Sequence, residues 1–437
     1  MRIPLFFVFI FLSSLALAQT KTSERLTISF SLFESLRDGN GEKAHALLDS
    51  SVRQKTSPGQ LNGLWRQVAQ SLQMGEFQDT NGYLLEENTL YLGMVFEKGE
   101  LDFKVSFTKQ NTVTSFLFTP PIDKRAYILP SYADTSTFIE QNFTLISGKY
   151  KLAGKLCIPK SKGPHPLCIL SHGSGPNEMD EKMGPNRVFK DIAYGLASQG
   201  IAVFRFNKRT AVYGGQSAED PEKLTLNDEY LEDLYAAIDT FATHPEIHAD
   251  KMYLLGHSLG GYIAPRVAAN TDKLKGIILA GAPCRHLDSI ALEQITYLNS
   301  IDTSGTYYRP LKNIKEEVAY LRSGDFDLDS DPNWLPLGLN AYYWADLLAY
   351  DPVKTLKTHP IQTLILNGED DYQVNMHEFS CWKQRLSTQK KIYYHSFKGL
   401  GHGFFSSEGI LGPAQYQNQH EVDEAVIKEI KVFIQQF

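Results

Sequence analysis

The chain has 437 residues, of which 42% are hydrophobic and 21% are charged. This composition excludes a disordered chain and, at roughly 150 residues per domain, predicts two to three domains. The formal net charge of -7 offers no electrostatic attraction to a polyanion, so we predict no nucleic-acid partner.

The first residues have the pattern of a secretory leader. Arg2 precedes an apolar run over Leu5–Leu12, and Ala16-Leu17-Ala18 supplies the small residues of a cleavage site. We therefore predict a signal peptide at residues 1–18 and a secreted or periplasmic protein without stable membrane insertion. The alternative, an uncleaved anchor, is disfavoured because the apolar run is shorter than the roughly 20 residues that span a bilayer.

Residues 22–119 are predicted to form a small α+β domain. Apolar residues recur at helical spacing in three segments, which begin near Leu26, Ala44 and Leu61, and β-forming residues follow Gly75. The β-rich runs are Tyr83–Phe96, Leu101–Phe107 and Val113–Phe118. This order favours helices packed on one face of an antiparallel sheet.

Prolines at 120, 121 and 130 indicate a linker over residues 120–137, after which the pattern changes. In residues 138–437, short apolar runs alternate with long amphipathic segments, which predicts a doubly wound, mostly parallel α/β sheet. Two antiparallel strands are predicted first, at Phe143–Ile146 and Leu152–Ile158. The later predicted strands are Leu167–Leu170, Ile201–Phe206, Met252–Leu255, Gly276–Ala280 and Thr363–Leu366. The predicted helices are Arg187–Ala197, Asp228–Phe241, Tyr262–Asn270, His377–Leu386 and Glu421–Phe437.

A nucleophile motif follows one of these strands. Gly256-His257-Ser258-Leu259-Gly260 comes directly after Met252–Leu255 and before a helix. Glycines on both flanks allow the sharp turn that presents a serine above the edge of a sheet. The motif G-x-S-x-G alone arises by chance in many chains. The strand-to-helix position therefore makes Ser258 the predicted nucleophile.

A nucleophilic serine needs a base and a carboxylate that orients the base. Glu369, Asp370 and Asp371 lie at the carboxyl end of the strand Thr363–Leu366, and His402 follows in a glycine-rich loop. The chain order serine, acid, histidine is that of α/β-hydrolases. We therefore predict that His402 is the base.

Residues 138–437 resemble the α/β-hydrolase superfamily, specifically secreted esterases related to dienelactone hydrolases and prolyl oligopeptidases. In these relatives the acid follows its strand in a Gly-x-x-Asp-x-x-Val pattern, which here falls on Gly368, Asp371 and Val374. The resemblance therefore implies Asp371 as the acid. Asp370 is the competing choice.

The N-terminal block, residues 22–119, resembles the cystatin-like or nuclear-transport-factor-like domain of unknown function that precedes the hydrolase domain in some bacterial secreted esterases. Fold analogy alone gives such a domain no activity.

The loop His172-Gly173-Ser174-Gly175-Pro176 resembles the oxyanion-hole loop of the superfamily and follows the strand Leu167–Leu170. Its glycines allow the backbone to approach a substrate closely. The predicted oxyanion donors are the N–H of Leu259, directly after the nucleophile, and the N–H of Ser174. The N–H groups of Gly173 and Gly175 are alternatives to that of Ser174. Alternatively, this loop is an ordinary glycine turn with no catalytic role.

The chain is not predicted to hold a metal or a cofactor. The sequence has no H-E-x-x-H pattern, phosphate-binding loop or dinucleotide fingerprint. Cys157, Cys168, Cys284 and Cys381 are too few for a disulfide scaffold and are predicted to pack in the core, with a Cys157–Cys168 bond as the alternative. His257 is predicted to pack beside the nucleophile. Lys208-Arg209 is predicted to form a salt-bridged loop, although relatives carry such a loop near the site.

The long segment at about 284–355 is predicted to be a helical lid insertion, because one crossover helix needs far fewer residues. Its aromatic residues suit the enclosure of an apolar acyl or alcohol group, although most such rings simply pack. They are Tyr297, Tyr307, Tyr308, Trp334, Tyr342, Tyr343, Trp344 and Tyr350.

These features predict a secreted serine carboxylesterase that cleaves small-molecule esters through an acyl-enzyme intermediate. A serine peptidase or thioesterase is the alternative, because one triad serves any acyl transfer and the pocket sets the preference. A non-catalytic binding protein with a hydrolase-like body is a third alternative. The sequence predicts no oligomeric state.

Overall fold

The computed structural model describes residues 6–86 and 88–437, and the chain divides into two units between Ala126 and Tyr127. The predicted signal peptide, residues 1–18, begins outside the described residues and stays a prediction. Among the described helices, none combines the length and the apolar character that crossing a bilayer requires.

In the first unit, helices precede an antiparallel sheet, which confirms the predicted order. The helices are α1 (Phe6–Arg37), α2 (Gly41–Ala46), α3 (Ser50–Arg53), α4 (Pro58–Asn62) and α5 (Leu64–Leu72). The strands are β1 (Phe77–Glu86), β2 (Thr89–Phe96), β3 (Gly99–Phe107) and β4 (Val113–Thr119), paired in chain order. Phe33 of α1 packs on Trp65 of α5 and Phe103 of β3. The predicted run Tyr83–Phe96 contains parts of two strands, because the chain reverses where Glu86 pairs with Thr89.

In residues 127–437, all of which the structure describes, an eight-stranded sheet has the order β14-β13-β12-β11-β7-β10-β6-β5. The strands of this unit are β5 (Phe138–Ser147), β6 (Tyr150–Pro159), β7 (His165–Ser171), β8 (Lys182–Met183), β9 (Asn186–Arg187), β10 (Ala202–Phe206), β11 (Ile247–His257), β12 (Leu274–Ala280), β13 (Gln362–Gly368) and β14 (Ile392–Phe397). The six strands from β14 to β10 are parallel, β6 pairs antiparallel with β10, and β5 pairs antiparallel with β6. This confirms the predicted mostly parallel sheet.

Helices cover both faces of this sheet. They are α6 (Val188–Ser198), α7 (Arg209–Tyr213), α8 (Glu232–Phe241), α9 (Leu259–Ala269), α10 (Leu287–Ile301), α11 (Tyr308–Leu321), α12 (Ala341–Leu348), α13 (Pro352–Thr358), α14 (Met376–Arg385) and α15 (Glu424–Gln436). Side chains alternate along a strand, so Leu254 of β11 enters the core under α8 and α9 while Leu255 enters the core under α6 and α15. Helices α10 to α13 form the insertion between β12 and β13.

The prediction that all four cysteines simply pack in the core is wrong for Cys284 and Cys381. The alternative, a Cys157–Cys168 bond, is also wrong. Cys284, after β12, forms a disulfide with Cys381 on α14, whereas Cys157 and Cys168 are free and buried. Both free cysteines pair in register with Val203, from opposite sides of β10. Two strand spacings of about 4.8 Å separate them, which exceeds the reach of a disulfide.

Removal of the disulfide is expected to destabilise the hydrolase unit. The bond joins residues 97 apart in sequence, and a cross-link over a long loop restricts the unfolded chain. We expect the double substitution Cys284→Ser/Cys381→Ser to lower the free energy of unfolding by about 2–4 kcal/mol, measured by urea denaturation. A reductant should destabilise the wild-type protein by a similar amount and leave the variant unchanged. Equal urea midpoints for both proteins without reductant would contradict the bond.

Candidate active site

Ser258 lies between the end of β11 and the start of α9, with φ of 53° and ψ of -120°. This left-handed backbone conformation is strained for a residue with a side chain, and it turns the half-buried serine away from the sheet. A β-carbon on Gly256 would lie 2.2 Å from the carbonyl oxygen of Gly260, and one on Gly260 would lie 2.4 Å from the carbonyl oxygen of His172. Both flanking positions of the motif therefore require glycine.

The two other predicted triad residues are in direct contact. Nδ1 of His402 lies 2.6 Å from Oδ2 of Asp371, and both side chains are buried. The second oxygen of Asp371 accepts the N–H groups of Gln373 and Val374, each at 2.8 Å. A carboxylate only accepts hydrogen bonds, so Nδ1 of His402 carries the proton. Nε2 of the neutral ring is then free to accept a proton from a nucleophile.

The competing carboxylate, Asp370, has a different partner. Its side chain is exposed and accepts the hydroxyl of Ser407 at 2.6 Å. Glu369 is also exposed and accepts the hydroxyl of Ser396 at 2.8 Å. The structure therefore brings His402 to Asp371 and not to either neighbouring carboxylate.

Adjacent strand ends bring these groups together at the carboxyl edge of the sheet. The N–H of Ser258 donates to the carbonyl of Ala280, the last residue of β12, at 2.9 Å. The next residue, Gly281, has φ of 55°, and a β-carbon there would lie 3.2 Å from Nδ1 of His402 and 3.5 Å from Oδ2 of Asp371. Ser258, His402 and Asp371 therefore surround the turn that follows β12.

The predicted oxyanion loop lies against Ser258, because a β-carbon on Gly173 would be 3.1 Å from Cβ of Ser258. The N–H of Gly173 donates to Oε1 of Glu181 at 2.6 Å, so it is not available to a substrate. The N–H of Leu259 belongs to the first residue of α9, a position where no intrahelical acceptor exists. Of the three loop N–H groups considered from the sequence, the geometry leaves those of Ser174 and Gly175.

His257 links this loop to His402. Its Nδ1 lies 3.1 Å from Oε2 of buried Glu181, and its Nε2 lies 3.0 Å from the carbonyl oxygen of His402. Burial alone would lower the pKa of His257, but the Glu181 carboxylate outweighs burial and raises it above its ordinary value. His257 therefore lies between Glu181, which holds the predicted oxyanion loop, and the backbone of His402.

The predicted salt-bridged loop after β10 also contacts the site. Lys208 pairs with Glu229 at 2.6 Å, and Arg209 pairs with Asp233 and Glu232. Nζ of Lys208 additionally donates to the carbonyl of Gly173 at 2.9 Å. The sequence gives no signal for this contact, because charged residues in hydrophilic segments are usually solvated. The sequence likewise gives no signal for the contact between Glu181 and this loop.

The aromatic residues of the insertion have several roles. Tyr343 and Trp344 are buried in the core beneath the insertion, in agreement with the expectation that most of these rings simply pack. Tyr297 is half-buried and stacks on Tyr372, which directly follows Asp371, with ring centroids 5.6 Å apart. Tyr297 is thus one ring of the predicted set that the structure brings close to Asp371.

One cluster has the composition of a metal site. Ligand atoms of Glu293, His377 and Glu378 lie within 4.8 Å of one another. The guanidinium of Arg285 pairs with both glutamates. It supplies the positive charge that these carboxylates need, so the cluster is an ion-pair network between α10 and α14.

The chain is similar to known hydrolases and esterases. The family model described as serine aminopeptidase, S33, matches residues 185–408, which include Ser258, Asp371 and His402. Esterase EstD of Thermotoga maritima is 33% identical over 406 residues, covering 92% of this chain and 93% of that protein. Est1E from Butyrivibrio proteoclasticus is 17% identical, with 68% of this chain and 98% of that chain covered and a TM-score of 0.44. An esterase of Pyrococcus furiosus is 12% identical, with 72% and 96% covered and a TM-score of 0.46.

Proposed function

Because this chain belongs to the serine aminopeptidase, S33, family of hydrolases, we propose that it is a carboxylic ester hydrolase with Ser258 as nucleophile, His402 as base and Asp371 as orienting acid. The observation that carries the proposal is the 2.6 Å contact between Nδ1 of His402 and Oδ2 of Asp371. That contact leaves Nε2 free to act as a base beside a serine in a strained strand-to-helix turn.

In acylation, Oγ of Ser258 attacks the ester carbonyl carbon while Nε2 of His402 takes the hydroxyl proton. The carbonyl oxygen becomes an oxyanion, which accepts the N–H groups of Leu259 and Ser174. The C–O bond then breaks, and His402 returns its proton to the leaving alcohol oxygen. Asp371 keeps the imidazole in one tautomer and stabilises its cationic form.

In deacylation, water replaces the alcohol. Nε2 of His402 takes a proton from water, whose oxygen attacks the acyl carbonyl carbon. The bond between that carbon and Oγ of Ser258 breaks, and His402 returns the proton to the serine. The products are the carboxylic acid and the regenerated enzyme.

The substrate preference is tested by comparing esters with amides. The family description names an aminopeptidase, whereas the relative with 33% identity is named an esterase. We expect p-nitrophenyl esters of short acyl chains to be hydrolysed with a kcat/KM that exceeds that of aminoacyl p-nitroanilides by orders of magnitude. A preference for the anilides would favour the peptidase alternative, and thioester substrates test the thioesterase alternative. Absence of fluorophosphonate labelling would favour a non-catalytic binding protein.

We also propose that the protein acts outside the cytoplasm, as a secreted or periplasmic enzyme. Two features support this location: the leader pattern of residues 1–18 and the Cys284–Cys381 disulfide, since such bonds persist in oxidising compartments. Mass spectrometry of the protein exported by its host tests the proposal, with Gln19 as the expected first residue.

A further inference from the structure

A buried lysine holds the carbonyl side of the oxyanion loop. Nζ of Lys208 lies 2.9 Å from the carbonyl oxygen of Gly173 and 3.0 Å from that of Gly175, and the side chain is 3% exposed. Nζ also lies 2.6 Å from Oε1 of Glu229 and 2.5 Å from the hydroxyl oxygen of Tyr230. An ammonium group has three N–H donors. These three donors are shared among four acceptors, two of which are backbone carbonyls of one loop.

The partners of Lys208 form a fully paired buried network. The hydroxyl of Tyr230 donates to the carbonyl of Gly173 at 2.7 Å, and Oε2 of Glu229 accepts the hydroxyl of Tyr343 on α12 at 2.6 Å. Glu229 and Tyr230 are neighbours in a π-helical turn over Asn227–Leu231. Such turns are rare and occur frequently at functional sites. This turn lets consecutive side chains reach the same lysine.

The network determines the orientation of one peptide group. The peptide between Gly173 and Ser174 is trans, so its C=O and N–H point in opposite directions. Lys208 and Tyr230 hold the C=O, which keeps the Ser174 N–H on the other side of the peptide. At the preceding peptide, the N–H of Gly173 is held by Glu181 at 2.6 Å. The loop cannot rotate this group without breaking charge-assisted hydrogen bonds.

The same contacts make the Ser174 N–H a stronger donor. Hydrogen bonds to a carbonyl polarise its peptide group, and the effect is larger when a donor is charged and the site is buried. An oxyanion donor stabilises a transition state best when its orientation is set before the reaction. Lys208 supplies both the orientation and the polarisation.

We propose that Lys208 is a positioning residue for ester hydrolysis, which holds and polarises the Gly173–Ser174 peptide so that the Ser174 N–H stabilises the oxyanion. The inference rests on the proposed function at Ser258. Lys208 contacts no reacting atom and acts through the peptide group.

The test compares ground-state and transition-state binding in Lys208→Met. We expect kcat for p-nitrophenyl acetate to fall about 10- to 100-fold, less than the roughly 10²- to 10³-fold loss for deletion of an oxyanion donor, with KM changed little. Affinity for an aryl trifluoromethyl ketone, which forms a tetrahedral adduct with a nucleophilic serine, should fall by the same factor as kcat. A purely structural role would lower the melting temperature without this matched loss.

Two further variants keep the test decisive if Lys208→Met does not fold. Lys208→Met/Glu229→Gln removes both buried charges, and Tyr230→Phe removes one donor to the Gly173 carbonyl. Both should reduce kcat and ketone affinity in parallel, with the smaller loss in Tyr230→Phe. The matched control is Lys273→Met, because Lys273 is exposed and pairs with Asp239 at 2.6 Å. This control should retain wild-type kinetics.

Ser258→Ala is measured beside these variants. If Ser258→Ala is inactive while the folded Lys208 and Tyr230 variants keep kcat within twofold of wild type, the positioning role is wrong and the proposed function stands. If Ser258→Ala retains activity, the proposed function itself fails.

Discussion

Ser258→Ala is expected to abolish ester hydrolysis, with kcat reduced by about 10⁵- to 10⁶-fold, because the nucleophile and its proton are both lost. Covalent labelling by a fluorophosphonate should disappear with it. The substitution removes one hydroxyl from a half-buried side chain and leaves the glycines at 256 and 260 in place. We therefore expect the melting temperature to stay close to that of the wild-type protein.

A serine outside the site provides the control for this experiment. The hydroxyl of Ser396 donates to exposed Glu369 at the end of β14, so Ser396→Ala should keep full activity and full labelling. Activity that persists in Ser258→Ala, together with labelling of a different serine, would show that another residue is the nucleophile.

Asp371→Asn is expected to reduce kcat by about 10⁴-fold. The asparagine oxygen can still accept the N–H groups of Gln373 and Val374, so the turn should be retained. Its NH₂ group, however, would donate to Nδ1 of His402 where the carboxylate now accepts. The proton would then lie on Nε2, and the ring could not take the proton of Ser258.

Asp370→Asn is the matched control, because the same chemical change occurs one residue away. Asp370 is exposed and accepts the hydroxyl of Ser407, which an asparagine oxygen also accepts. Steady-state kinetics on one ester should show a change of at most about twofold, the size of a surface effect of about 0.5 kcal/mol. The reverse ranking would assign the acid to Asp370, and equal modest losses would mean that the acid lies elsewhere.

Local sequence rules were sufficient to predict several parts of this protein. Short apolar runs predicted β7, β10, β11, β12 and β13, because strands buried on both faces of a parallel sheet need apolar side chains at nearly every position. The edge strand β14 was not predicted, since its side chains are only partly buried and its pattern is mixed. The turn at Ser258 was predicted because its steric requirement for glycine lies within five consecutive residues.

Contacts between distant segments depend on how the whole chain packs. The sheet order inserts β10 between β6 and β7, which separates Cys157 from Cys168, while Cys284 meets Cys381. Glu181 and Lys208 belong to polar segments of the sequence, yet both are buried against the oxyanion loop. A side chain's partner depends on which strands are neighbours, and neighbour order is set by the packing of the whole sheet. No local sequence pattern specifies this neighbour order.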